Sequence, residues 1–224
     1  MNLFKVRLDK FWLNSLSLAK GTIAGQVLVI SFMPVLTRLY KPSDFGVFAA
    51  VSGIIALLAA VSTMRLEQAI VLPKNDEEAW SLFKSSTFLA ISFLIIMTLL
   101  LPSLFIFYIS SVDFFILLAV IVSPTLLAIQ TTLGMWANRQ SRYRLMGQAQ
   151  FIYSLVMVSA QVLFSQISIL NGSSALLAGS LFGYCAGCFV LIKGLDLRNS
   201  LNGISLNINM QSAILDLKHY SDFP

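Results

Sequence analysis

Residues 114–144 read FFILLAVIVSPTLLAIQTTLGMWANRQSRYR. No charged side chain occurs from Phe114 to Asn138, and then Arg139, Arg142 and Arg144 follow in quick succession. A hydrocarbon core of about 30 Å takes roughly 20 apolar residues in helix. Cations that gather just past such a run mark its cytoplasmic end. The stretch therefore reads as one membrane crossing with its inner loop attached.

Outward from it, the same reading gives five more crossings. Upstream are Gly21–Thr37, Phe45–Met64 and Ser85–Val112, the last with Pro102 late in it, so that its helix tilts or ends near Tyr108. Downstream, Leu145–Ile192 is uncharged and too long for one span. Asn171, Gly172, Ser173 and Ser174 divide it into a helix ending near Ile169 and another starting near Ala175. The runs do not alternate as barrel strands do, so the fold class is all-α integral membrane, a six-transmembrane-helix bundle. The chain divides into a cytoplasmic interfacial segment (1–20), a six-helix lobe (21–192) and a cytoplasmic linker (193–224).

The remaining cations agree. Lys5, Arg7, Lys10 and Lys20 precede the first run; Arg65, Lys74 and Lys84 lie between the second and third; Lys193, Arg198 and Lys218 follow the sixth. With the three arginines after the fourth run, these are 13 of the 15 lysines and arginines, and only Arg38 and Lys41 fall on the other side. Both termini are expected in the cytoplasm of a multi-pass membrane protein.

Composition supports this. Apolar residues make up 57% of the chain and charged residues 11%, with a mean hydropathy of +0.82. A soluble domain carries about a quarter charged residues. The pI near 9.4 reflects inner loops that meet anionic lipid headgroups rather than a nucleic-acid surface, since no basic stripe with interleaved aromatics is present. No cleaved leader is expected, because the first apolar run is long and no small-residue cleavage site follows it. Leu3–Leu13 sets Phe4, Leu8, Phe11 and Trp12 against Lys5, Arg7, Asp9 and Lys10, which suits a short interfacial helix; a frayed tail fits as well. Cys185 and Cys188 form C-x-x-C inside an apolar run, with no second pair and no nearby histidine, and read as small packing residues.

The crossings carry packing instructions. Gly179, Gly183 and Gly187 recur every four residues, and Gly21 and Gly25 repeat the spacing, which lets backbones approach closely. Pro34 and Pro124 lie inside crossings, where each frees a carbonyl and bends its helix. Gln150, Ser154, Gln161 and Ser165 fall on one face of the fifth helix; Ser123, Gln130 and Gly134 make a similar face on the fourth. Amides are costly against lipid, so these faces point inward, either to interhelical hydrogen bonds or to a polar cavity that accepts a hydrophilic substrate.

No catalytic constellation assembles. The one histidine is His219, the acids are scattered, and no nucleotide loop, metal cluster or nucleophile–base pair is found. Neither cofactor, metal nor enzymatic activity is expected. Arg65 and Glu67 follow the second crossing, and the apolar Ala69–Leu72 after them suggests that this helix continues inward, carrying the pair to the mouth of a cavity; a solvated pair at a helix end is the alternative. Asn75–Glu78 reads as the cap and first turn of the third long helix.

Three strings carry a family resemblance. Pro34–Gly46, PVLTRLYKPSDFG, is similar to the P-x-L-T-R-L-Y-x-P-x-D-F-G signature of the bacterial polysaccharide biosynthesis flippases. These belong to the multidrug, oligosaccharidyl-lipid and polysaccharide exporters. Met64–Pro73, MRLEQAIVLP, followed by Asp76-Glu77-Glu78-Ala79, resembles the family's L-R-Y-E-x-A-I-V-L-P string and acidic cap, with Leu66 where an aromatic is common. Tyr220–Pro224, YSDFP, looks like the Y-x-x-F-P element before a seventh crossing.

The resemblance implies a flippase for O-antigen or exopolysaccharide units on undecaprenyl pyrophosphate, alternating access between two six-helix lobes. It implies that Gln130, Gln150, Ser154 and Gln161 face the sugar. Arg38, Arg65, Arg139 and Arg142, with Glu67, become candidates to meet pyrophosphate or acidic sugars, arginine giving bidentate contacts to phosphate. Implied partners are the lipid-linked oligosaccharide, membrane lipids, a second lobe or partner chain, and a polysaccharide polymerase with its chain-length regulator. Family members run to about twice this length, so the chain reads as an N-terminal lobe, a truncation or partial record expected to be inactive alone. A cation-coupled antiporter of the same superfamily would need acids within the membrane; a non-transporting scaffold would bind without substrate dependence.

Overall fold

A computed structural model describes residues 2–108, 113–167 and 170–195, with side chains over 18–100, 113–167 and 170–195. The Tyr220–Pro224 string, the 196–224 part of the linker and the side chains of Leu3–Leu13 lie outside the described residues. Among the described residues, seven helices follow one another: α1 (Asn2–Leu39), α2 (Pro42–Ser62), α3 (Leu66–Ala69), α4 (Asp76–Tyr108), α5 (Phe114–Arg139), α6 (Tyr143–Phe164) and α7 (Gly172–Gly194). All but α3 are long and apolar enough to cross a membrane, the build of a multi-pass membrane protein.

The antiparallel path is fixed by contacts at each end. At the end where α5 stops and α6 starts, Arg139 reaches the α3–α4 connection and Arg142 donates to the Gly194 carbonyl at the close of α7. At the other, the Asp113 carboxylate before α5 accepts from Asn171 Nδ2 at 2.7 Å, just before α7. There the Tyr40 hydroxyl, between α1 and α2, donates to the Gln161 carbonyl of α6 at 2.5 Å. One end thus collects Lys20, Arg139, Arg142 and Lys193 with Asp76, and the other Arg38 and Lys41 with Asp44 and Asp113.

The small-residue stripes set the helix contacts. A Cβ built at Gly21 would collide with the backbone of Gly147, so α1 and α6 cross there main chain on main chain. A Cβ at Gly179 would stand 3.0 Å from the Met157 carbonyl oxygen and the Gln161 amide nitrogen, which brings α7 onto α6. α7 is the most enclosed span and α1 the least. The outward positions recur at helical spacing: Ile23, Val27 and Ile30 on α1, Ile54, Leu57 and Val61 on α2, Ile91, Ile95 and Leu99 on α4. Those stripes suit lipid.

A second core sits at the cationic end. Trp80, Phe83 and Trp136 pack with centroids 5.0–5.5 Å apart, over Leu66, Ile70 and Ala137. Arg139 locks it: Nη1 donates to the carbonyls of Pro73 (2.7 Å) and Ile70 (3.2 Å), and Nη2 to Asp76 (2.8 Å).

Three expectations change. The second crossing does not carry inward: α2 stops at Ser62, and Met64 and Arg65, at φ 50° and 58°, turn the chain before the separate α3. Successive left-handed residues cannot continue a right-handed helix. The N-terminal segment is not a separate short helix, because α1 is continuous from Asn2 with no Gly or Pro before Gly21 to break it. The fifth crossing ends at Phe164 rather than near Ile169, where the Ser165 hydroxyl bonds back to the Val162 carbonyl. Prolines 34 and 124 lie inside helices that run on through them. The third long helix ends at Tyr108 and its first turn begins at Asp76, with Asn75 Nδ2 3.4 Å from Glu78 Oε1, as the sequence suggested.

Candidate functional site

Four membrane-spanning helices, α1, α5, α6 and α7, leave a cavity of about 460 Å³ between them. It runs from mid-span positions such as Leu127 and Tyr184 toward Leu18, Asn138 and Met146, near the cationic end. That volume lies within the ~300–1,000 Å³ of ordinary small-molecule sites.

α5 supplies Gln130, Gly134 and Asn138, at steps of four along one face. α6 supplies Gln150 and Tyr153, one turn apart, and α7 supplies Tyr184. The rings of Tyr153 and Tyr184 stack with centroids 5.2 Å apart and planes at 29°. Among the described residues, no lysine, arginine, aspartate or glutamate lines the cavity. The Gln130 amide oxygen has no hydrogen-bond partner. Its amide nitrogen lies over Gly187, where a Cβ would stand 2.6 Å away. Gly134 faces open space: a Cβ there meets nothing within 4 Å.

The candidate residues divide accordingly. Gln130 and Gln150 come together in the cavity. Ser154 and Gln161, on the same face of α6, are buried in helix contacts: Ser154 lies against Gly25, and Gln161 Nε2 donates to the Leu176 carbonyl at 3.2 Å. The polar face of α6 thus lines a cavity over part of its length and meets neighbouring helices over the rest. Arg38 is exposed at the far end, and Arg65 is exposed beside α3. Arg139 and Arg142 serve backbone carbonyls, as described above. Glu67 is buried in α3, away from the cavity, with Oε2 unpartnered. Sequence reasoning missed Tyr153, Tyr184 and Asn138. The signal was there: Asn138 continues the Gln130–Gly134 step, and Tyr153 sits one turn from Gln150.

A second cleft, about 480 Å³, opens at the opposite end beside Lys41, Asp44, Asp113 and Ser165. Its carboxylates are committed to helix starts. Asp44 accepts from the Lys41 backbone N–H at 3.0 Å, and Asp113 from Asn171 and Ser174. The Tyr40 phenol, beside this cleft, is pushed up to about 12 by burial and then by the Asp44 charge. Among the described residues, no group of three His, Cys, Asp or Glu side chains is placed to hold a metal.

Residues 35–213 match the model of a family described as polysaccharide biosynthesis protein. No curated protein and no solved structure matches the chain.

Proposed function

The chain belongs to the polysaccharide biosynthesis protein family, and from that premise we propose that it is a lobe that carries lipid-linked oligosaccharide across a bacterial inner membrane. The observation that supports this most is a cavity between four apolar spans whose largely apolar wall carries three amides and two tyrosines. A glycan cannot cross hydrocarbon bare, because each hydroxyl stripped of water without a partner costs several kcal/mol. Side chains that both donate and accept replace that water. The lipid tail stays outside, along the apolar face of α1, the least enclosed of the helices around the cavity.

Positive-inside bias puts the cationic end in the cytoplasm, with the N-terminus on that side. The cavity then opens toward the leaflet where an O-antigen or exopolysaccharide unit on undecaprenyl pyrophosphate would be loaded. Alternating access needs a facing lobe, from further chain or a partner chain. A polymerase and chain-length regulator would receive the product. Ion-coupled antiport has less support, since the one buried acid among the described residues, Glu67, lies outside the cavity.

Deleting the gene in its own host tests the reading. Surface polysaccharide is expected to fall while lipid-linked oligosaccharide accumulates on the inner leaflet. Unchanged polysaccharide with no accumulation would refute it.

A further inference from the structure

We propose that the cavity takes an uncharged sugar ring, stacked on the Tyr153–Tyr184 pair and hydrogen-bonded by Gln130, Gln150 and Asn138. The proposal rests on the translocation reading and narrows its substrate to neutral glycans at this site. Three observations carry it. The first is charge: among the described residues, the cavity wall holds no ionisable acid or base other than the two phenols. A uronic acid or a phosphate entering it would lose hydration and find no cation in the wall. Among the described residues, no cation at that end lines the cavity. Arg139 and Arg142 are committed to backbone carbonyls, and Lys20 and Lys193 are exposed.

The second observation is the aromatic pair. Stacked rings offer an electron-rich, flat surface, and the C–H face of a pyranose carries the complementary partial charge. The third is the amide set. Gln130, Gln150 and Asn138 each present a donor and an acceptor, which matches hydroxyls and N-acetyl groups rather than an anion, which only accepts.

The purified full chain in lipid nanodiscs would be probed by saturation-transfer NMR with glucose, N-acetylglucosamine and glucuronic acid. Transfer to the two neutral sugars is expected, with glucuronate at least about tenfold weaker. Tyr184→Leu is expected to weaken neutral-sugar transfer about tenfold, and Tyr184→Phe to preserve it, because stacking needs the ring and not the hydroxyl. Should Tyr184→Leu fail to fold, the glucose–glucuronate comparison on the unaltered protein decides alone. Glucuronate binding as well as glucose would overturn the proposal and leave the translocation reading intact. Absence of all sugar transfer, with lipid-linked oligosaccharide still captured at the cavity, would overturn it in the same way. Absence of both would remove the translocation reading as well.

Discussion

Gly187 of α7 lies directly beneath the amide of Gln130 on α5, so close that a methyl group there would stand 2.6 Å from Nε2. The missing side chain on one helix is what seats the polar side chain of the next at the cavity wall. The atoms a methyl would meet belong to the free end of a flexible side chain, so Gly187→Ala is expected to displace the amide rather than part the helices. The cost should stay near the low end of the ~1–3 kcal/mol typical of overpacking. Thermal unfolding in detergent checks this.

Gly21→Ala should behave differently. Its methyl would meet the backbone of Gly147, which cannot rotate away. A loss of about 3 kcal/mol or more is expected, with α1 released from α6. Comparing the two alanine variants in one melting experiment separates a cavity glycine from a helix-contact glycine.

Arg139 and Asp76 form an ion pair of unequal partners: the arginine side chain is 13% exposed and the aspartate 87%. Water screens the charge attraction, so Asp76→Asn should cost less than ~1 kcal/mol. Arg139→Met abandons the carbonyls of Ile70 and Pro73 as well, and should cost about 2–3 kcal/mol, loosening the α3–α4 connection. Protease susceptibility around Lys74, with unfolding curves, would read both.

High pH should weaken the end that holds Tyr40. The Tyr40 phenol is raised from 10.0 to about 12 in the folded protein, so the unfolded chain releases its proton first. The stabilising contribution is complete below pH 10 and is lost as pH climbs toward about 12. Tyr40→Phe removes the bond to the Gln161 carbonyl, costing about 1 kcal/mol at neutral pH, but should flatten this alkaline decline. Unfolding midpoints from pH 8 upward would show it.

Orientation has its own check. With Cys185 and Cys188 replaced, single cysteines at Ser141 and Ser43 should be labelled by an impermeant maleimide from opposite faces, Ser141 from the cytoplasm. Labelling from one face would break the serpentine path.

The fold was legible because burial in lipid leaves a coarse record: long uncharged runs, cations at alternate ends, glycines every fourth residue. The Asp76 start and Tyr108 end of α4 could be read from an acidic cap and a late proline. What could not be read was local geometry without a compositional mark. Nothing in MRLEQ announces that Met64 and Arg65 adopt left-handed backbone, so α2 seemed to run on. The uncharged stretch through Leu170 likewise gave no sign that α6 stops at Phe164. In the site, the amides stood out because they are expensive in a membrane. Tyr153 and Tyr184 did not, because tyrosine is ordinary there and only the crossing of α6 and α7 stacks them. Gln150 and Ser154 lie one turn apart on one face, yet one lines the cavity and the other meets Gly25; only the position of α1 decides which.

Capture at the cavity wall tests the central claim most directly. A photoreactive benzoylphenylalanine at Gly134, which faces open cavity, should crosslink lipid-linked oligosaccharide in cells making the polysaccharide, while the same residue at the outward Leu57 should capture phospholipid alone. Oligosaccharide captured at neither position, or at Leu57 and not at Gly134, would contradict a substrate path through this cavity.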